Sequence, residues 1–210
     1  MPPKLFALFF VFALLISSVA SAQDTLFNGR RNKIGFTMGQ GFQYTGQLNN
    51  TKNRTIALAT NYYYKVDFYQ LQYYFAGLRK KKFGIDILIQ PQYNTTKYKY
   101  YRDSDATPYL TGHEAGINLG FLYRWNFTRN NASFYISVST GPHFISGAPD
   151  REVPGFVFSN NFNAGINLRV YKNLYADLRA GIRHASNLGF KVPNAGLNDL
   201  TLNEGFVVVW

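Results

Sequence analysis

Apolar side chains recur at alternate positions through most of this chain, and that period fits β-strands and not helices. In residues 34–44 the apolar set is Ile34, Phe36, Met38, Phe42 and Tyr44, set against Gly, Thr and Gln. Residues 83–93, 115–125 and 134–144 repeat the pattern, and 158–170 sets Phe162, Ala164, Ile166 and Leu168 against Asn161, Asn163, Gly165, Asn167 and Arg169. A less regular segment at 67–75 and two more at 174–184 and 200–210 bring the count to eight. An even number of such segments, each with one apolar face, predicts an all-β fold: an eight-stranded antiparallel transmembrane β-barrel. The connections alternate, long at 46–65, 95–113, 147–155 and 185–199, short at 78–82, 127–132 and 172–173. Outer-membrane barrels show that asymmetry between external loops and periplasmic turns. Aromatic residues make up 18% of the chain, and several stand at segment ends, where a membrane interface suits them. A soluble barrel with its apolar face turned inward to a ligand has the same period, so parity alone does not say which face is inside.

The first residues add a compartment. Lys4 precedes an apolar run at 5–16, which ends in small residues and an Ala20-Ser21-Ala22 sequence. This reads as a signal peptide over residues 1–22, with the barrel at 23–210 and export to the bacterial outer membrane. The run is too short for a membrane-spanning helix. No cysteine is present, so a fold in an oxidising compartment is held by other means. The formal net charge is +11, or +10 once Lys4 is removed, which suggests an anionic partner. For an exported barrel that partner is the outer membrane and its phosphorylated lipid, not nucleic acid. Nothing in the sequence fixes the oligomeric state, and a homodimer is compatible with it.

The chemistry-bearing residues gather near the end. His184 and Ser186 are two apart at the end of an alternating segment, so they share a face. A histidine base beside a serine hydroxyl is the minimum for an activated nucleophile. Pro193-Asn194-Ala195-Gly196 then turns the chain, and Asn198 returns near the level of His184. This pattern, His184-x-Ser186-Asn187, then Asn194-x-Gly196, then Asn198, resembles the outer-membrane lipid A 3-O-deacylases (the PagL family). The resemblance implies an eight-stranded barrel and a serine esterase acting on lipid A, the lipid anchor of lipopolysaccharide. It makes Ser186 the nucleophile, His184 its base and Asn198 the third member, where the best-known relatives carry Glu. Asn187, Asn194 and Gly196 then serve as oxyanion or turn residues. No cofactor or metal is implied, and no cluster of metal-ligating residues is visible.

Parity places this hairpin. The apolar set of segment 174–184 includes His184, so if that set faces lipid, His184 and Ser186 do too. An ionisable group on the lipid side is costly, which suits an enzyme whose substrate is itself a lipid. Arg183 and Lys191, with Lys97, Lys99 and Arg102, are candidates to hold substrate phosphates. His143 has interior parity, His113 has no serine in phase, Asp199 points to the opposite face, and Glu204 stands six residues from Asn198. The alternative is a non-catalytic barrel with a structural or adhesion role, in which His184–Asn187 is an ordinary polar loop.

Overall fold

The structure, a computed structural model, describes residues 32–43, 62–80, 83–100, 108–128 and 131–209. The expected signal peptide, Tyr44, Arg102 and Trp210 lie outside the described residues. Eight strands follow one another: β1 (Lys33–Gln43), β2 (Tyr63–Arg79), β3 (Phe83–Lys99), β4 (Leu110–Thr128), β5 (Ala132–Ile145), β6 (Gly155–Tyr171), β7 (Leu174–Ser186) and β8 (Leu197–Val209). Each pairs antiparallel with its neighbours, and β8 closes on β1. From Leu200, partners followed through Phe42, Lys65 and Lys97 arrive at Thr111 on β4. Followed the other way, through Ile182, Phe162 and Val138, they arrive at Phe121, ten residues further along β4. The register therefore staggers by ten residues around the barrel, the shear that tilts its strands.

The side chains settle which face is inside. Large apolar residues point out and are open, among them Phe121 at 63%, Leu202 at 67% and Val138 at 55% exposed. A continuous belt of this kind on a barrel is a lipid-facing surface. The lumen is filled, by a polar network and by two buried apolar clusters, one around Tyr64 and Phe68 and one around Leu122 and Tyr135. At its lower end Lys33 Nζ donates to Asp86 at 3.0 Å, and Arg124 pairs with the same carboxylate at 3.4 Å. Midway, Arg179 donates to Thr37 and Gln70. Near the upper end Arg183 lies between Glu114 at 2.8 Å and Asp199 at 2.9 Å, with all three side chains fully buried. His143, as its parity predicts, is interior, between Gln92 and Asn118.

Two expectations need correcting. The strands are longer than the apolar pattern suggests: β3 runs on to Lys99, and β4 starts at Leu110. Asn94, Thr96 and Tyr98 still face inward there, while Thr95, Lys97 and Lys99 face out. Above the lipid band the outer face has no reason to be apolar, so the alternation persists while its polarity contrast fades. Lys97 and Lys99 are thus strand residues, their ammonium groups 4.4 and 4.8 Å from the Tyr109 ring centre. The second correction is Arg183. Its neighbour His184 faces outward, so Arg183 faces the lumen, where it cannot reach a phosphate outside the barrel.

That ion triad yields a stability prediction. Arg183→Ala leaves two carboxylates buried without their cation, which costs about 3–5 kcal/mol when a buried pair is broken. Urea unfolding in detergent micelles should show a midpoint well below that of the wild type. The neutral, similarly sized Arg183→Met should be no better, because it too leaves Glu114 and Asp199 unpaired.

Candidate active site

The site is built on the outer end of β7 and β8 and the ten-residue connection 187–196. Strand period puts His184 on the outward face, exposed, with Asn160 of β6 and Asn198 of β8 as its Cα partners. His184 Nδ1 and Asn198 Oδ1 are 2.7 Å apart. A carbonyl oxygen only accepts, so this bond requires the proton on Nδ1, and in the neutral tautomer that makes it, the lone pair is on Nε2. Asn198 is fixed in turn by Tyr62: its backbone N–H donates to the Tyr62 hydroxyl at 2.9 Å, and that hydroxyl donates to its backbone carbonyl at 3.2 Å.

Ser186 pairs with Phe158 on the same face and is 6% exposed. Among the described residues no hydrogen bond joins it to His184. The structure thus brings the His184 imidazole and the Ser186 hydroxyl onto one face at strand spacing, without a hydrogen bond between them. Catalytic hydrogen bonds commonly tighten only when substrate is bound.

The connection after Ser186 is pinned from within and from the side. Asn187 Oδ1 accepts from the backbone N–H of Gly189 at 2.9 Å and of Lys191 at 3.3 Å, which closes the turn. Its Nδ2 donates to Glu152 at 2.7 Å and to the Pro193 carbonyl at 3.3 Å, so both side-chain N–H groups are engaged. Asn187 therefore shapes the turn and has no donor to spare for an oxyanion. Asn194 differs: its Oδ1 accepts from the Asn187 backbone N–H at 3.2 Å, while its exposed Nδ2 has no partner among the described residues. Gly196 has φ +70°, and a Cβ there would overlap the Cε1 of His184. Only glycine combines that backbone with room for the imidazole. Lys191 is exposed on the connection.

Sequence reasoning missed Glu152, on the connection between β5 and β6. Its second carboxylate oxygen accepts from the Gly196 N–H at 3.2 Å, and its backbone forms a β-bridge with Asn194. Burial pushes its carboxyl above the ordinary range, and the hydrogen bonds from Gly196 and Asn187 pull it back. Arg151 adds a bond to the Ala195 carbonyl at 2.8 Å and stands 4.3 Å from the Tyr62 ring centre. No motif announces these contacts, since a loop carboxylate has no period to betray its partner. The other expected onlookers stay apart. Glu204 is outward on β8 far below the site, and His113 stacks on Tyr93, whose hydroxyl is 2.8 Å from its Nδ1.

Residues 69–206 match the family model described as lipid A 3-O-deacylase (PagL). Among solved structures, the outer membrane enzyme PagL is similar over 82% of this chain and 97% of its own, with a TM-score of 0.54 at 16% identity. The outer membrane protein OprG from Pseudomonas aeruginosa covers 89% of this chain and 99% of its own, with a TM-score of 0.49 at 9% identity. Neisserial surface protein A covers 86% and 97%, with a TM-score of 0.46 at 12% identity. No curated protein sequence matches the chain. At 16% identity the likeness to the PagL structure speaks for a shared barrel alone, whereas the family match spans well over half of the 210 residues and includes the whole hairpin. The chain is an outer-membrane-type barrel that belongs to the lipid A 3-O-deacylase (PagL) family.

Proposed function

We propose that this protein is a serine esterase that removes the acyl chain ester-linked at the 3-position of lipid A in the outer leaflet. The observation that carries the reading is the outward-facing His184, held through Nδ1 by Asn198 at 2.7 Å, with Ser186 two residues away on the same face. A charge-bearing group on the lipid face costs several kcal/mol at the bilayer midplane and about 0–1 near the interface, so the rim is where such a site is tolerable. The lumen is filled by side chains, which leaves the outer wall as the surface a lipid can reach.

The mechanism follows from the atoms present. His184 Nε2 takes the Ser186 proton as Oγ attacks the ester carbonyl carbon, and the tetrahedral intermediate places negative charge on the carbonyl oxygen. Asn194 Nδ2, oriented through its Oδ1, is the donor we assign to that charge, since the backbone N–H groups of Asn187, Gly189, Phe190 and Lys191 are already engaged within the turn. The imidazolium then protonates the departing sugar oxygen, leaving the acyl chain on Ser186. Water, deprotonated by the same Nε2, attacks this acyl-enzyme and releases the fatty acid. Lys191 on the rim provides positive charge for the lipid's phosphates, whereas Lys97 and Lys99 face outward on β3, four strands from β7 in either direction, and lie on the opposite wall.

Purified protein in detergent, incubated with lipid A, should yield free fatty acid and lipid A lighter by one acyl chain with its phosphates intact. Unchanged lipid A, from protein shown to be folded, would contradict the esterase reading. The same assay tests the loop clamp. Glu152→Ala removes two hydrogen bonds to a charged acceptor, each about 1.5–3 kcal/mol, from the segment that carries Asn187 and Gly196. Activity should fall by roughly ten- to a hundredfold, the rate equivalent of about 1.4–2.8 kcal/mol. The strand ladder is untouched, so the difference in gel mobility between unheated and boiled samples should remain.

A further inference from the structure

Across the barrel from His184, the outward faces of β2 and β3 change character as they rise. On β3 the face passes from Ile87 and Ile89 through Tyr93 to Lys97 and Lys99, and on β2 from Leu71 through Tyr69 to Lys65. Tyr69 and Tyr93 are Cα partners, 44% and 50% exposed, and such rings mark the boundary of the hydrocarbon. Lys65 and Lys97 are also Cα partners, four residues above them. That is about 13 Å along the strands and about 10 Å in height at the usual barrel tilt. Their four-carbon stems let the ammonium groups hang back to the headgroups of the outer leaflet.

Like charges directly opposite each other on neighbouring strands destabilise the pair. Among the described residues one carboxylate answers them: Asp67, 3.5 Å from Lys65 Nζ, which also accepts from Gln40 at 2.9 Å. Lys97 and Lys99 share instead the Tyr109 ring, 4.4 and 4.8 Å from its centre, and Tyr63 meets that ring edge-on at 5.0 Å. Neither lysine can turn inward, because Tyr64, Phe68 and Tyr98 fill the lumen behind them. We propose that this wall is a second, non-reacting lipid A site, where Lys65, Lys97 and Lys99 hold a phosphate of an outer-leaflet glycolipid. Phosphate oxygens take charge-assisted hydrogen bonds from several ammonium groups at once, and their negative charge removes the repulsion between Lys65 and Lys97. The acyl chains of the same molecule lie on the apolar belt directly below, against Leu71 and Ile117, 48% and 40% exposed. A soluble anion would use the lysines and leave that belt unused. The site is four strands from β7 in either direction, so a lipid held here is not the one presented to Ser186. The inference therefore stands apart from the esterase reading.

The test uses the full barrel carrying Ser186→Ala, which does not consume lipid A, in detergent, with bound lipid counted by native mass spectrometry. Replacing the three lysines together (Lys65→Gln, Lys97→Gln and Lys99→Gln) should weaken the binding of one lipid A by at least about tenfold. Arginine at the same three positions should keep it, and lipid A stripped of its phosphates should bind the lysine-bearing barrel no better than the glutamine variant does. Inorganic phosphate and phosphatidylglycerol, at the concentration of lipid A, should not displace it. Lipid A should also raise the unfolding temperature of the lysine-bearing barrel more than that of the glutamine variant, which keeps the comparison tied to folded protein. With Ser186 restored, the glutamine variant should deacylate lipid A with kcat/KM within about twofold of the wild type. Equal lipid A binding with and without the lysines, or displacement by phosphatidylglycerol, would overturn the inference. A kcat/KM that falls in step with the lost lipid would overturn it too, by assigning these lysines to the substrate. Absence of any deacylation would count against the esterase reading alone, since the lipid count does not depend on turnover.

Discussion

Ser186→Ala and His184→Ala should each abolish the proposed lipid A deacylation, lowering the rate by at least about 10⁴-fold, while the barrel assembles normally. In serine hydrolases whose nucleophile and base act as a unit, losing either costs about as much as losing both. The double variant should therefore be no more than a few-fold worse than either single one. Neither side chain is part of the barrel's filled interior: His184 is exposed, and Ser186 caps the end of β7. Normal assembly, seen as a heat-modifiable band and a β-rich circular dichroism spectrum, separates loss of chemistry from loss of fold. Release of fatty acid by Ser186→Ala at the wild-type rate would end the serine mechanism.

The second large effect concerns Asn198. In the serine-protease triad an Asp→Asn change costs about 10⁴ in rate, largely because the amide selects the wrong tautomer. Here the oxygen of the amide faces Nδ1, so the tautomer with a basic Nε2 is the one the structure favours. What an amide lacks is the charge that stabilises the imidazolium during attack. Asn198→Glu should therefore preserve or raise the rate, and Asn198→Leu, which removes the acceptor altogether, should lower it by about 10² or more. The Tyr62 clamp acts on the backbone of residue 198, so it survives either change. Steady-state rates on lipid A for the three side chains decide the matter. Equal rates would show that Asn198 does not orient His184.

How much of this was legible beforehand depends on what each residue's surroundings are. Where a strand crosses lipid, one face must be apolar and the other packs a polar lumen, so the period is plain and eight strands can be counted. Where β2 and β3 rise beyond the belt, the outward face carries Lys65, Asp67, Lys97 and Lys99 while Tyr64, Val66, Phe68 and Tyr98 pack inward, so the apolar set changes sides and the pattern no longer marks the strand. The His184 and Ser186 pair was readable because strand spacing fixes which residues share a face. The same rule, applied one residue back, turns Arg183 into the lumen, and the expectation that it held phosphate overlooked that. Register was not readable. Nothing in residues 158–170 says that Asn160, and not another asparagine of that segment, stands beside His184, since inter-strand offset comes from closure of the whole barrel. Glu152 was hidden for a different reason: its partners Asn187 and Gly196 lie 35 and 44 residues away, on another loop.

A non-catalytic barrel of the same topology would have no use for an imidazole held by Asn198 on its lipid face. The measurement that separates the two readings is tandem mass spectrometry of lipid A from bacteria expressing the wild-type chain, Ser186→Ala or neither. The account predicts that only the wild type gives lipid A lacking one acyl chain, with the loss assigned to the 3-position and with Ser186→Ala present in the outer membrane at the same level. Identical lipid A in all three cultures, with the wild-type barrel folded and in place, would contradict it.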